Sequence, residues 1–152
     1  MVQIRGGVTA AKGFTASGTH VGIRKNREKK DLALIWSEKP CSAAAVYTTN
    51  KVKGQPLVVT SEHLADGKAQ AIIVNAGNAN TCTGEAGIAA ARRMAALVSQ
   101  WMKIPAYDVV VASTGVIGQQ LDVGKIEAGM EQLVAGLSRT GNIDAREDIM
   151  TT

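Results

Sequence analysis

Aromatic residues are nearly missing from this chain: one Phe, two Tyr and two Trp stand among 152 positions. That scarcity argues against the stacking platforms that hold single-stranded nucleic acid, and no nucleic-acid partner is expected. It also leaves the core to Val, Ile, Leu, Met and Ala. Histidine and cysteine are as sparse. His20 and His63 are isolated, and Cys41 and Cys82 form no CxxC pair. A zinc site or a disulfide framework is therefore not expected. Both cysteines read as small apolar residues of a reducing compartment. No apolar run is long enough to span a bilayer, and Met1-Val2-Gln3-Ile4-Arg5 lacks the apolar stretch of a secretion signal. The expected location is cytoplasmic, with no membrane partner.

What the chain does contain is the balance of a globular domain, with 45% hydrophobic and 20% charged residues. Its length suits a single domain over residues 1–152 with a substantial core. The net charge of +4 owes much to Arg24-Lys25-Asn26-Arg27-Glu28-Lys29-Lys30. Such a run is ordinarily a solvated loop. Its field would still draw anionic amino-acid or coenzyme substrates weakly.

Glycines at 6, 7, 13, 18 and 22 punctuate the first part of the chain and disfavour long helices there. Alternation predicts a strand over Asp31–Ser37, with Leu32, Leu34 and Trp36 facing one way. Further strands are expected at Cys41–Thr48 and Pro56–Thr60, on the β-propensity of Val46, Tyr47 and Leu57-Val58-Val59. Ala71-Ile72-Ile73-Val74 reads as a strand covered on both faces. Thr83 is a plausible N-cap for a helix reaching about Met102, with an apolar stripe of Ile88, Ala91, Ala95, Val98 and Met102. Tyr107–Ala112 reads as another strand. A second helix is expected from about Val123 to Leu137, with Ile126, Met130, Leu133 and Leu137 on one face. The tail from Ser138 is polar until Ile149-Met150. The order of these elements indicates an α/β or α+β fold, a mixed sheet with helices packed on it.

Two polar motifs end two of the apolar strands. Asn75-Ala76-Gly77-Asn78-Ala79-Asn80 follows the first, and Ser113-Thr114-Gly115-Val116-Ile117-Gly118 follows the second. A hydroxyl-and-glycine turn of the second kind can aim the Thr114 hydroxyl and a backbone N–H at one point. That is how an oxyanion is held during acyl transfer. The same residues could equally fix their own turns, which is the commoner role of Asn75, Asn78 and Asn80. His20 and His63 read as surface or internally satisfied side chains.

Four blocks together resemble the N-terminal part of the glutamate N-acetyltransferase / ornithine acetyltransferase (ArgJ) family. They are Gly6-Gly7-Val8-Thr9-Ala10 with Lys12-Gly13-Phe14, Ala43–Val52, Asn75–Asn80 with Thr83-Gly84, and Ser113–Gly118. The resemblance implies a self-cleaving architecture of the ArgJ/DmpA-like, N-terminal-nucleophile type, in which a precursor splits into α and β chains. It implies that this chain is an incomplete α chain, that the β chain begins with the nucleophilic threonine, and that the assembly is α2β2. The implied reaction moves an acetyl group from N2-acetylornithine to glutamate through an acetyl-threonine, without a bound cofactor. Some members also accept acetyl-CoA.

By the same resemblance, Thr114 and Gly115 form the oxyanion hole. Ile149-Met150-Thr151-Thr152 matches the start of a family segment whose threonine binds substrate, so Thr151 is the first candidate and Thr152 the second. Asn75 and Asn78 are further candidates for substrate contact. Asp122 departs from the family pattern, where proline is expected after Leu121. The readings left beside this one are a self-cleaving amidase or aminopeptidase and a non-catalytic scaffold chain.

Overall fold

The structure is a computed structural model that describes residues 6–150. Its centre is a four-stranded mixed sheet in the order β1 (Phe14–Thr19), β2 (Leu32–Ser42), β3 (Lys68–Asn78), β4 (Val109–Val116). The first three strands are antiparallel, and β4 runs parallel to β3. The crossover that parallel pairing requires is made by α2 (Gly84–Met102). One face of the sheet carries Leu32, Leu34, Ile73, Val109 and Val111 into the main core. There they meet Ala91, Met94, Leu97 and Val98 of α2, and Ile126, Met130 and Leu133 of α3 (Val123–Ala135), all essentially without solvent exposure. The core is aliphatic, as the scarcity of aromatics requires.

Asp122 begins α3 by accepting a hydrogen bond from the Gly124 amide at 3.1 Å. The departure from the family's proline is therefore an N-cap, which satisfies an otherwise free amide of the first turn.

Three expectations need correction. Pro56–Thr60 is not a strand; it lies in the helix α1 (Gln55–His63). A short apolar run fits either structure, and Pro56 in the first turn suits a helix start. The face of α1 at Val59, Thr60 and His63 covers the outer edge of β4. Thr60 Oγ1 donates to the Val111 carbonyl at 2.8 Å and accepts from the Val111 amide at 3.0 Å. His63 Nδ1 donates to the Val109 carbonyl at 2.8 Å. These side chains satisfy an edge that would otherwise need another strand.

Of the expected strand Cys41–Thr48, only Cys41 and Ser42 belong to β2. Ala43–Asn50 has no regular structure, and Val46 is 99% exposed. The third correction is a helix in the polar tail, α4 (Asn142–Ile149). It lies on the second face of the sheet against Ala16 and Ala33, where Ala145 completes a small apolar cluster. A Cβ on Gly18 would stand 2.5 Å from the Asp144 carbonyl oxygen, so the glycine is what lets α4 approach β1. Beyond α4 this face leaves Ile35, Ile72, Val74, Val110 and Ala112 only half-buried. No helix among the described residues is long and apolar enough to cross a membrane.

Candidate active site

Both polar motifs extend the strands they were expected to end. Asn75–Asn78 is the last part of β3, and Ser113–Val116 is the last part of β4. The register pairs Asn75 with Ser113, Ala76 with Thr114, Gly77 with Gly115 and Asn78 with Val116. The two motifs, far apart in sequence, thus form one adjoining pair of strand ends.

Alternation along β4 decides where each side chain goes. Val109, Val111 and Ser113 face the main core. Thr114 faces the opposite side, the one that carries α4. Thr114 is half-buried, and no hydrogen bond within the described residues engages its hydroxyl. Gly115 is exposed, with φ of 135°. A Cβ there would overlap the Gly77 backbone and stand 2.5 Å from the Asn78 nitrogen. Only glycine permits both that φ and that approach. Past Val116 the chain turns through Ile117 and Gly118, both open to solvent.

The asparagines hold this rim together. Asn75 is wholly buried, donates to the Asn78 carbonyl at 2.9 Å, and accepts from the Ser113 hydroxyl at 2.5 Å. Asn78 donates to the Gln119 carbonyl at 3.1 Å and accepts from the Asn80 amide at 2.8 Å. Asn80 ties the loop to α2 by donating to the Gly87 carbonyl at 2.8 Å. It also accepts from the Thr83 hydroxyl at 2.7 Å. Thr83 precedes α2 without capping it through its side chain. Both asparagines are bonded within the rim: Asn75 is wholly buried, and Asn78, also buried, borders the cleft beside Gly77. Thr151 and Thr152 lie outside the described residues.

A small cleft of about 130 Å³ opens beside Gly77, lined by Ile23, Asn78, Gln120 and Lys125 among others. A larger depression of about 320 Å³ lies away from the strand ends, between the 26–29 loop and Glu147 and Met150 of the α4 end.

Sequence reasoning passed over the residues behind the rim. Asp31 is wholly buried and accepts from the amides of Val21, Gly22 and Arg24 at 2.6, 3.1 and 2.9 Å. His20 Nδ1 lies 3.1 Å from the same carboxylate. Arg24, read as part of a solvated run, packs its stem against Gly77. Its guanidinium reaches the carbonyls of Asp148 at 2.7 Å and Met150 at 3.0 Å. The Asp148 carboxyl is buried, and neither oxygen has a hydrogen-bond partner among the described residues. Burial pushes its pKa up to about 7; Arg24 opposes that rise, and Asp31 adds to it. One signal was available: Gly77, a glycine shortly past the apolar run Ala71–Val74, points to a close approach by another part of the chain.

A sequence model of the ArgJ family matches residues 15–152. The chain belongs to the ArgJ family. It is 49% identical, over its full length, to the arginine biosynthesis bifunctional protein ArgJ of Caldanaerobacter subterraneus subsp. tengcongensis. It is 47% identical over its full length to the ArgJ protein of Symbiobacterium thermophilum. It spans 37% and 38% of the lengths of those two relatives.

Crystal structures from the ArgJ family share the fold. The ArgJ protein of Bacillus halodurans superposes with a TM-score of 0.90 at 45% identity, covering 97% of this chain and 76% of the crystallised one. An ornithine acetyltransferase of Mycobacterium tuberculosis, complexed with ornithine, gives 0.88 at 40% identity, covering 96% and 79%.

Proposed function

We propose that this chain is the α-chain part of a cytoplasmic acetyltransferase that moves acetyl from N2-acetylornithine to glutamate. In this reading it supplies the oxyanion hole for a threonine on a β chain cut from the same precursor. The observation that carries the reading is the Thr114–Gly115 strand end. A hydroxyl with no hydrogen-bond partner among the described residues sits beside an exposed glycine against which the Gly77 backbone packs. The names of the relatives point the same way, to arginine biosynthesis and to ornithine acetylation.

The chemistry follows from what such a strand end can do. The β-chain threonine oxygen attacks the acetamide carbonyl, with its own α-amino group, of reference pKa near 8, taking the proton. The Thr114 hydroxyl and the Gly115 amide donate to the oxyanion that forms. The C–N bond then breaks, the amine leaves as ornithine with the proton, and the acetyl group remains as a threonine ester. Glutamate's amine attacks that ester in turn, restoring the hydroxyl. Acetyl-CoA could load the same threonine by the same attack on a thioester.

Two further observations support a partner chain. This chain covers 37% of the Caldanaerobacter relative but 76% of the crystallised Bacillus halodurans chain, which is therefore roughly half as long as that relative. A precursor cut in two would leave such a ratio. The half-buried aliphatics on the second face of the sheet also suit a further packed layer.

The test uses the full-length protein. Mass spectrometry should find two polypeptides, the second starting with threonine, and the pair should transfer acetyl from N2-acetylornithine to glutamate. An acetyl-CoA arm measures the second donor. An uncut protein without transfer activity, or one that prefers simple peptide amides, would overturn the reading in favour of a scaffold or an amidase. Sedimentation or light scattering tests the α2β2 assembly.

A further inference from the structure

The block Ala43–Val52 has strand-forming residues but no strand. Val46, Tyr47, Thr48 and Thr49 favour extended pairing, yet residues 43–50 take no regular structure. The Ala43 amide donates to the Gly67 carbonyl at 2.8 Å. Residues 44–53 are all exposed, and no hydrogen bond among the described residues ties this arm to the body. Its own bonds are local: the Asn50 amide donates to Thr48 Oγ1 at 3.1 Å, and the Val52 amide to Asn50 Oδ1 at 2.9 Å. Val46 is 99% exposed and Val52 60%. Apolar, β-prone backbone left unpaired in this way is a template for pairing with another chain.

The arm runs from Ser42, paired with Lys68 at the start of β3, to Gly54, which bridges Thr81 just past the end of β3. The Thr81 carbonyl accepts from the Gly118 amide at 2.9 Å, and the Ala79 amide donates to the Val116 carbonyl at 2.9 Å. Hydrogen bonds thus connect the base of the arm to the strand end that carries Thr114 and Gly115. Val116 and Ile117 there are themselves exposed. The arm also stands off from α1, leaving a depression of about 180 Å³ lined by Tyr47, Lys53, Leu57, Val58 and Ser61.

We propose that residues 43–53 are a docking arm for the β chain, and that residues 44–49 complete a strand pair with it. This rests on the reading above, in which a β chain brings its threonine to Thr114 and Gly115. A chain that reaches this rim arrives where the arm ends. A second copy of this chain is a poorer match for the arm. α1 covers the outer edge of β4, and Ala16 of β1 exchanges both backbone hydrogen bonds with Ser138 at 3.0 Å. Among the described residues, neither outer edge of the sheet is free along its length to receive a strand. The relatives, of which this chain spans 37% and 38%, have ample further length to supply one.

The experiment places a photo-crosslinking side chain at Val46 in the full-length protein and follows hydrogen exchange of the arm. Irradiation should join position 46 to the β chain, as mass spectrometry of the linked peptides would show. The amides of residues 44–49 should exchange about 100-fold or more slowly than unpaired backbone. Val46→Asp puts a charge into the covered surface and should cut that protection at least about tenfold, while the β4 amides keep theirs. Crosslinks only between two α chains, or only within one, overturn the proposal. So does exchange of the arm at the rate of unpaired backbone. Acetyl transfer is assayed on the same protein, which separates the two readings. A cut, active enzyme with an unprotected arm removes the docking arm and leaves the acetyltransferase reading standing. An uncut, inactive protein whose position 46 crosslinks to the C-terminal part of the polypeptide does the reverse.

Discussion

Gly77 and Gly115 face each other at the end of the parallel strand pair, both with positive φ, and a Cβ on Gly115 would overlap the Gly77 backbone. This backbone contact shapes the rim. It lets β4 run alongside β3 to its last residue and leaves the Thr114 hydroxyl beside an exposed glycine.

Gly115→Ala should damage both fold and chemistry. The φ of 135° strains any side chain by about 1–3 kcal/mol, and the new methyl has no space against Gly77. Thermal unfolding should show a lower midpoint, and acetyl transfer should fall with it. An alanine variant with wild-type stability would mean that the strands can part without cost.

Thr114→Ala removes only a half-buried hydroxyl that bonds to nothing else among the described residues. Its unfolding midpoint should hardly move. Acetyl transfer should slow by about 10²–10³-fold, the usual cost of one oxyanion donor. Thr114→Ser should recover much of the rate, which single-turnover measurements would reveal.

Thr60→Val keeps the shape of the side chain but strips both bonds from Val111. A buried amide and a buried carbonyl lose their partner, and the expected loss is about 1–3 kcal/mol. Denaturant unfolding measures it. Thr60→Ser should lie close to wild type, because it retains the hydroxyl.

Asp148 should make stability depend on pH. Its folded pKa of about 7 lies above the ordinary 3.8, with burial as the main cause. Between those values the folded chain keeps a proton that the unfolded chain has released. Stability from this group is therefore greatest at low pH and declines as pH rises, with a slope approaching about 1.4 kcal/mol per pH unit. The decline ends just above pH 7. Asp148→Asn should flatten this slope: near wild type at pH 4, more stable at pH 8. Parallel pH profiles of the unfolding midpoint in both proteins would refute the assignment.

Part of this molecule could be read before folding. Leu32, Leu34 and Ile73 alternate plainly, and the stripes of α2 and α3 repeat at helical spacing, because each buries one continuous face. Leu57-Val58-Val59 misled because a run so short fits either period, and the covering of β4 by Thr60 and His63 exists only once the edge is built. α4 escaped notice because it buries little more than Ala145 and Asp148, against glycine and alanine on β1. Close packing by small residues leaves no hydrophobic stripe.

The sequence by itself determined the aliphatic core, the strands at Leu32, Ile73 and Val109 and the two long helices, the family, and the two motifs with Thr114 and Gly115 among them. These depend on composition and local spacing. Only the tertiary structure decided that the motifs meet as neighbouring strand ends, that Asn75 and Asn78 bond within that rim, and that Arg24 reaches from a charged loop to the end of α4. Those are contacts between segments tens to more than a hundred residues apart, and they follow from sheet register and close backbone approach, which no local pattern encodes.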